Sequence, residues 1–205
     1  MVLAYEKAVK ELILNHKELF TDDPHCSVLF EKNINFYSTI ADCLIFTDTE
    51  IIGVEIKTAH DTTKRLAKQL KDYNEVCDRV FVLTQDEMVA KVSKVLEGFP
   101  MVGLIAYKEV PELNKIFVGT LKLAVVTPIN ASALLSMLWN SEIRQTSRRI
   151  GVYIPSKVRR TKAMVSWVLK NDDPNDVIAG VRETFVKDYL DPNNPKKMYD
   201  FKRVI

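Results

Sequence analysis

Ala41-Asp42-Cys43-Leu44-Ile45-Phe46, then Thr47-Asp48-Thr49-Glu50, then Ile51-Ile52-Gly53-Val54-Glu55-Ile56-Lys57 is the stretch that decides how this chain folds. Two apolar runs of β type flank four polar residues, so the segment reads as a hairpin. Residues two apart on a strand project to the same side, which puts Glu55 and Lys57 on one face and Val54 and Ile56 on the other. Asp42 begins the first strand, where the hairpin can bring it beside Glu55. Two carboxylates and an ammonium at positions suited to apolar packing cost free energy unless something uses them. A hard divalent cation held by carboxylates and water is one such use, with the lysine orienting or activating a water. A surface hairpin carrying a cross-strand salt bridge is the alternative.

The flanking sequence sets the hairpin in a larger sheet. Leu3 to Phe20 reads as an amphipathic helix, with Leu3, Val9, Leu12, Ile13 and Leu19 on its apolar side, stopped by Asp22-Asp23-Pro24. Ser27 to Tyr37 is less regular, a short strand or one helical turn containing Glu31. After the hairpin, Asp61 to Cys77 is helical in pattern. Asp61 or Thr62 stands as its cap, and Leu66, Leu70, Tyr73 and Cys77 form its apolar stripe. Arg79 to Thr84 is a buried strand, Glu87 to Leu96 a helix, Val102 to Tyr107 a strand, and Phe117 to Val126 a further one. This alternation predicts a mixed α/β sheet with helices packed on it. The character changes at Pro128. Ala131 to Gln145, Lys157 to Leu169 and Asp176 to Tyr189 all carry helical patterns, and an Asn/Pro/Lys-rich tail starts at Asp191. The expected division is a core over 1–127 and a basic helical subdomain with its tail over 128–205.

Composition narrows the class. The 205 residues are 47% apolar and 27% charged, values for a well-packed globular protein. The net charge of +2 does not mark the whole chain as a nucleic-acid binder, but its distribution is uneven. Between Ser141 and Lys170 stand Arg144, Arg148, Arg149, Lys157, Arg159, Arg160, Lys162 and Lys170 against one acid, Glu142. Charges are screened within roughly 8–10 Å at physiological salt, so local excess matters more than the total. A solvated helix surface is the plainer account of the same charges. Cys26, Cys43 and Cys77 show no pairing pattern, as in core thiols of a reducing compartment. His16, His25 and His60 form no zinc-like pair with a cysteine couple. The first residues lack a signal-peptide core, and no apolar run nears the roughly 18–20 residues of a membrane span. The expectation is a cytoplasmic protein without membrane association.

An acid-x-Lys triplet occurs about once by chance in a chain of this length. It does recur, as Asp200-Phe201-Lys202, but without an upstream acid on a paired strand or a following helix. Asp42, twelve intervening residues and then Glu55-Ile56-Lys57 resembles the signature of the PD-(D/E)XK nucleases, with Ala41 standing where the family name has Pro. Gln69 and Tyr73 match the Gln-x-x-x-Tyr element of RecB-like members. The run from Glu55 to Thr62, with Arg65, Leu66, Gln69 and Tyr73, is similar to small bacterial and phage members, and Leu138 to Ile143 adds a weaker likeness.

The resemblance implies a restriction-endonuclease-like fold, a mixed central sheet flanked by helices with a C-terminal helical subdomain. It implies hydrolysis of DNA phosphodiester bonds dependent on Mg²⁺ (or Mn²⁺). Asp42 and Glu55 would bind the metal, Lys57 would serve the water, and Gln69 would touch that water or a phosphate. A further acid commonly precedes the signature. Glu6, Glu11 and Glu31 all qualify by position, and Glu31 is preferred as the third metal ligand. His60 is either a proton carrier or a polar loop residue. Arg65, Gln69 and Tyr73 lie at i, i+4 and i+8, close to one line on a helix. Arg65 and Tyr73 are therefore candidate DNA contacts, although Tyr73 equally suits the core. Arg148, Arg149, Arg159, Arg160 and Lys162 would grip phosphates. The competing expectations are a nucleic-acid-binding protein that keeps the fold without cleaving, and a phage or bacterial interaction protein. DNA is the expected partner, with a homodimer or a protein partner left open.

Overall fold

The alternation of the hairpin is realised as two strands at the middle of a sheet. The computed structural model describes residues 2–36, 38–110, 112 and 115–190. Strands β2 (Thr39–Phe46) and β3 (Ile51–Lys57) pair antiparallel from Phe46↔Ile51 to Cys43↔Val54. Thr47 closes their turn by accepting the Glu50 N–H on its hydroxyl at 2.9 Å. The irregular stretch before them is a strand, β1 (Ser27–Ile34), antiparallel to β2; Tyr37 lies outside the described residues. Strands β4 (Arg79–Gln85), β5 (Gly103–Val110) and β6 (Lys115–Lys122) complete a six-stranded sheet in the order β1-β2-β3-β4-β5-β6. The β3/β4 and β4/β5 pairs are parallel and the others antiparallel. The expected mixed α/β sheet with helices around it, the last of them C-terminal, is what forms.

Each face of the sheet has its own cover. Helix α1 (Val2–Asn15) packs Val9, Leu12 and Ile13 against Cys43, Ile45, Ile52 and Val54. The opposite face receives α2 (Leu66–Val76), α3 (Val89–Leu96), α4 (Ala131–Ser136), α5 (Asn140–Arg149), α6 (Thr161–Asn171) and α7 (Pro174–Leu190). The helices beyond Pro128 share one apolar cluster with the sheet. Phe185 of α7 stacks on Phe46 of β2 at 4.2 Å between centroids. The buried Asp78 carboxylate accepts from the Ile51 N–H at 2.7 Å and from Arg182 of α7 at 2.6 Å, joining the start of β3 to the last helix.

Several boundaries move for local reasons. The first helix ends at Asn15, and Lys17–Leu19 forms a separate 3-10 turn. Asp61 does not cap α2. Its carboxylate accepts the Thr58 N–H and hydroxyl at 2.8 Å each, closing a turn of its own, and the helix begins at Leu66. The run from Ala131 to Gln145 is two helices, because Glu142 accepts the Trp139 N–H at 2.7 Å and starts α5 afresh. The tail from Asp191, with Asp200-Phe201-Lys202, lies outside the described residues. Among the described residues no helix is long and apolar enough to cross a membrane, and the three cysteines are buried and unpaired.

Gly53 is required where β3 passes under α2. A Cβ there would run into the Tyr73 ring and come within 2.9 Å of Cys77 Sγ. Gly53→Ala should therefore cost about 1–3 kcal/mol by overpacking. Gly119→Ala on the exposed β6, where a Cβ meets nothing within 4 Å, should stay within about 0.5 kcal/mol. Urea unfolding of the two variants checks the contrast, and equal losses would refute it.

Candidate metal and active site

The site begins where the β2–β3 ladder stops. Beyond Cys43↔Val54 the two strands separate, and side chains occupy the opening. The Ile56 N–H donates to Asp42 Oδ2 at 2.8 Å, so a carboxylate stands where a strand carbonyl would otherwise accept. The Asp42 N–H in turn donates to the Tyr73 hydroxyl at 2.8 Å, and that hydroxyl donates to the Val54 carbonyl at 3.3 Å. Tyr73 thus spans the gap from α2. Backbone groups that a broken ladder would orphan are satisfied by two side chains.

Glu55 and Lys57 share the face of β3 under α2, as the two-residue period requires. Glu55 is fully buried, and Lys57 is nearly so. The Lys57 ammonium donates to Glu55 Oε1 and to Gln69 Oε1, the latter at 3.3 Å. Glu55 Oε2 is buried and has no hydrogen-bond partner. Burial, with the Asp42 charge next in weight, pushes the Glu55 carboxyl up to about 7 against the pull of Lys57 and, more weakly, of the Tyr73 hydroxyl. Burial also raises Asp42, partly offset by the Ile56 N–H and by Lys57, while the Asp61 charge adds to the rise. An orphaned carboxylate oxygen beside a second carboxylate is the donor set a hard divalent cation takes, with remaining positions left to water and phosphate oxygens. Asp42 and Glu55 fit such an ion.

The other sequence candidates divide. Gln69 is at the site. Arg65 is exposed at the start of α2, at the same end of the sheet as Lys57. Tyr73 is fully buried, so it braces the site from within and does not reach DNA. Glu31 is not brought to the acidic pair. It stands between the register pairs Phe30↔Cys43 and Lys32↔Ala41, its backbone is left-handed (φ 56°), and its carboxylate accepts from Lys10 of α1 at 2.6 Å. Among the described residues no three His, Cys, Asp or Glu side chains converge as a metal cluster. Glu11 is exposed and faces Lys7, the Glu6 side chain lies outside what is described, and His60 is exposed in the loop after β3.

Of the basic residues, Arg148, Arg159, Arg160 and Lys162 are exposed. Arg149 is half-buried, and its charge reaches Glu183 of α7. Arg144 donates to the Ile154 and Val158 carbonyls and fastens the loop between α5 and α6.

Two contributors escape a reading of the sequence. Asp72 accepts from Asn35 (2.8 Å), Ser38 (2.6 Å), Thr39 and Lys68 (2.8 Å), gathering the β1–β2 turn onto α2. Burial alone would raise its carboxyl, but these donors, Lys68 first, hold it well below the usual carboxylate range. Phe36 stands in that turn with φ 54°, after Asn35 at 43°. Asn35 and Ser38 are residue types that suit a turn, but nothing local reveals the aspartate 34 to 37 residues away that shapes it.

Fold and site together define a mixed α/β protein in which half-buried Asp42 meets buried Glu55 and Lys57 at the end of a central strand. Residues 1–195 match the family described as Bacteriophage P4 protein cII, and the chain belongs to that family. Among solved structures it is similar to a Silicibacter pomeroyi protein of unknown function, at 15% identity and a TM-score of 0.40, over 61% of this chain and 80% of that one. It is also similar to Pyrococcus furiosus SfsA in complex with Ca²⁺, at 17% identity and a TM-score of 0.39, over 60% of this chain and 64% of that one. No curated protein sequence matches it.

The raised Glu55 carboxyl fixes a pH dependence. A group bound to its proton more tightly when folded stabilises fully below its unfolded value and stops doing so as pH rises through its folded value. Stability should therefore fall as pH rises from about 5 toward 8. Glu55→Gln, which cannot ionise, should flatten that fall. Thermal melting of both proteins across this range is the check, and parallel curves would contradict the assignment.

Proposed function

We propose that this chain is a metal-dependent deoxyribonuclease of the PD-(D/E)XK kind. The observation that carries the reading is the convergence of Asp42, Glu55, Lys57 and Gln69 at the opened end of β3, with Glu55 Oε2 buried and unpartnered. Asp42 and Glu55 would hold Mg²⁺ or Mn²⁺. When bound, such an ion acts as a Lewis acid and offsets negative charge on a phosphate and on the attacking water. Lys57, held by Glu55 and Gln69, presents an ammonium that orients the water and meets developing charge. Gln69 fixes the lysine and offers its amide toward the same space. Tyr73 keeps the strands apart so that Asp42 stays at the opening. Arg65 just before α2, Arg148 on α5, Arg159 and Arg160 in the loop before α6, and Lys162 on α6 would supply phosphate contacts.

Asp42→Asn, Glu55→Gln and Lys57→Met should each lower cleavage of DNA in Mg²⁺ or Mn²⁺ by about 100-fold or more while the proteins remain folded. Cleavage of linear, nicked, branched and single-stranded DNA, measured beside circular dichroism, tests this. Calorimetric titration with Mn²⁺ gives a second readout, with weak binding to the parent and loss of it in Asp42→Asn. Folded variants that cut as well as the parent would overturn the reading in favour of a protein that binds without cleaving.

A further inference from the structure

Phe36, Trp139 and Tyr153 have no part in the chemistry above, and all three face solvent. Phe36 is 40% exposed, Trp139 62% and Tyr153 76%. Each is held by its surroundings. Phe36 occupies a left-handed backbone that an aromatic residue rarely adopts. It persists because its N–H donates to Ser136 at 2.8 Å and because Asp72 clamps the flanking Asn35 and Ser38. Strain kept in place by this many contacts points to a use for the displayed side chain. The Trp139 ring has the Lys32 ammonium 6.0 Å from its centroid. Tyr153 sits in the loop that Arg144 fastens, and its carbonyl accepts from the Trp167 indole at 3.0 Å.

Cations run between these rings. Lys162 lies 5.9 Å from the Phe36 centroid. The start of α5 is tied to the start of α6, since Asn140 donates to the Arg159 carbonyl at 3.1 Å and accepts from Thr161 at 2.8 Å. Trp139 therefore stands next to Arg159 and Arg160. Arg159 also lines an open depression of about 510 Å³, together with Arg148, Tyr153 and Ser156 among others. The one acid of the stretch, Glu142, is turned inward to Lys32 at 3.7 Å and to the Trp139 N–H. Glu142 is the one acid between Ser141 and Lys170, so the exposed charges of that segment are basic.

Antiparallel pairing sets the start of β2 at the end where β3 finishes. The Phe36 turn is thus at the same end of the sheet as Glu55 and Lys57. We infer that this face binds a single-stranded segment of DNA, with unpaired bases stacking on Phe36, Trp139 and Tyr153 and phosphates meeting Lys162, Arg159 and Arg148. Duplex phosphates need only the cations, because paired bases keep their faces covered. Exposed rings alternating with cations suit a strand whose bases are free. The inference deepens the nuclease reading and rests on it for the polymer concerned: the substrate would be an overhang, a flap or a single strand.

The test is binding in EDTA, so that cleavage plays no part. Fluorescence anisotropy should give tighter binding to labelled oligothymidylate than to a duplex carrying equal phosphates, and binding weaker by about 100-fold or more to an abasic strand of the same length. Phe36→Ala, Trp139→Ala and Tyr153→Ala should each weaken binding of oligothymidylate by about tenfold, whereas Trp139→Phe should keep it. Circular dichroism checks that each variant is folded, and the abasic strand tests stacking without altering the protein. Equal affinity for abasic and thymidylate strands, a preference for duplex, or binding to neither would overturn the inference. Metal-dependent cutting of duplex by a protein that fails this test would leave the nuclease reading standing, and the reverse pattern would leave the strand-binding inference standing.

Discussion

The hydrogen bond from the Ile56 N–H to the Asp42 carboxylate is the constraint on which the rest depends. A sheet holds its strands together because leaving a buried amide without an acceptor costs free energy comparable to a lost hydrogen bond. Here the acceptor is a side chain, so β2 and β3 part without that penalty. Parting brings Asp42 to the opening beside Glu55, at the carboxyl end of a strand with a parallel neighbour on its other side. Such strand ends are where open α/β sheets gather their ligands. The Tyr73 hydroxyl completes the exchange by serving both Asp42 and Val54. Its ring needs the space that Gly53 leaves empty. One glycine, one tyrosine and one aspartate, spread over thirty-odd residues of chain, act as a single device.

The cost of this device falls on Glu55. A carboxylate at zero exposure, with one oxygen unpartnered and Asp42 nearby, is held against its tendency to take a proton. Lys57 relieves part of that cost but cannot satisfy Oε2 as well. Protein interiors seldom keep a buried polar atom in that state without a reason. The reason offered by the proposed function is that a cation supplies the missing partner. On that reading the fold gives up some stability at neutral pH for a site whose ligand restores it.

What was legible in the sequence was whatever repeats locally. Period-two alternation set out β2 and β3 with Glu55 and Lys57 on one face, and the stripe Leu66, Leu70, Tyr73 and Cys77 gave α2 its buried side. What stayed hidden depends on contacts distant along the chain or on a single backbone angle. Glu31 suits a metal site by its position in the sequence, but a left-handed φ and Lys10 take its carboxylate elsewhere. Arg149 counts as a basic residue in any window, yet it lies toward Glu183, which only the packing of α5 on α7 could reveal. The break at Trp139 was masked because apolar periodicity continues across it, while Glu142 starts the new helix through a hydrogen bond.

Helix α2 makes the chemistry and the proposed strand-binding face one mechanical unit. Its buried side carries Tyr73 and Gln69 to the carboxylates and the lysine. One residue before Tyr73, Asp72 turns to the β1–β2 loop and, with Lys68, fixes Asn35, Ser38 and Thr39. That loop carries Phe36, whose N–H is held by Ser136 of α4 and whose ring lies beside Lys162 of α6. A shift of α2 along its axis would move the Gln69 amide and the displayed ring together. Rigid placement over this span is what a nuclease needs if a base held at one point is to set which phosphate lies at another. The buried pair of Lys32 and Glu142 and the Phe46–Phe185 stack serve the same end, fixing the C-terminal helices to β1 and β2. The basic face is thereby held in register with the acidic site.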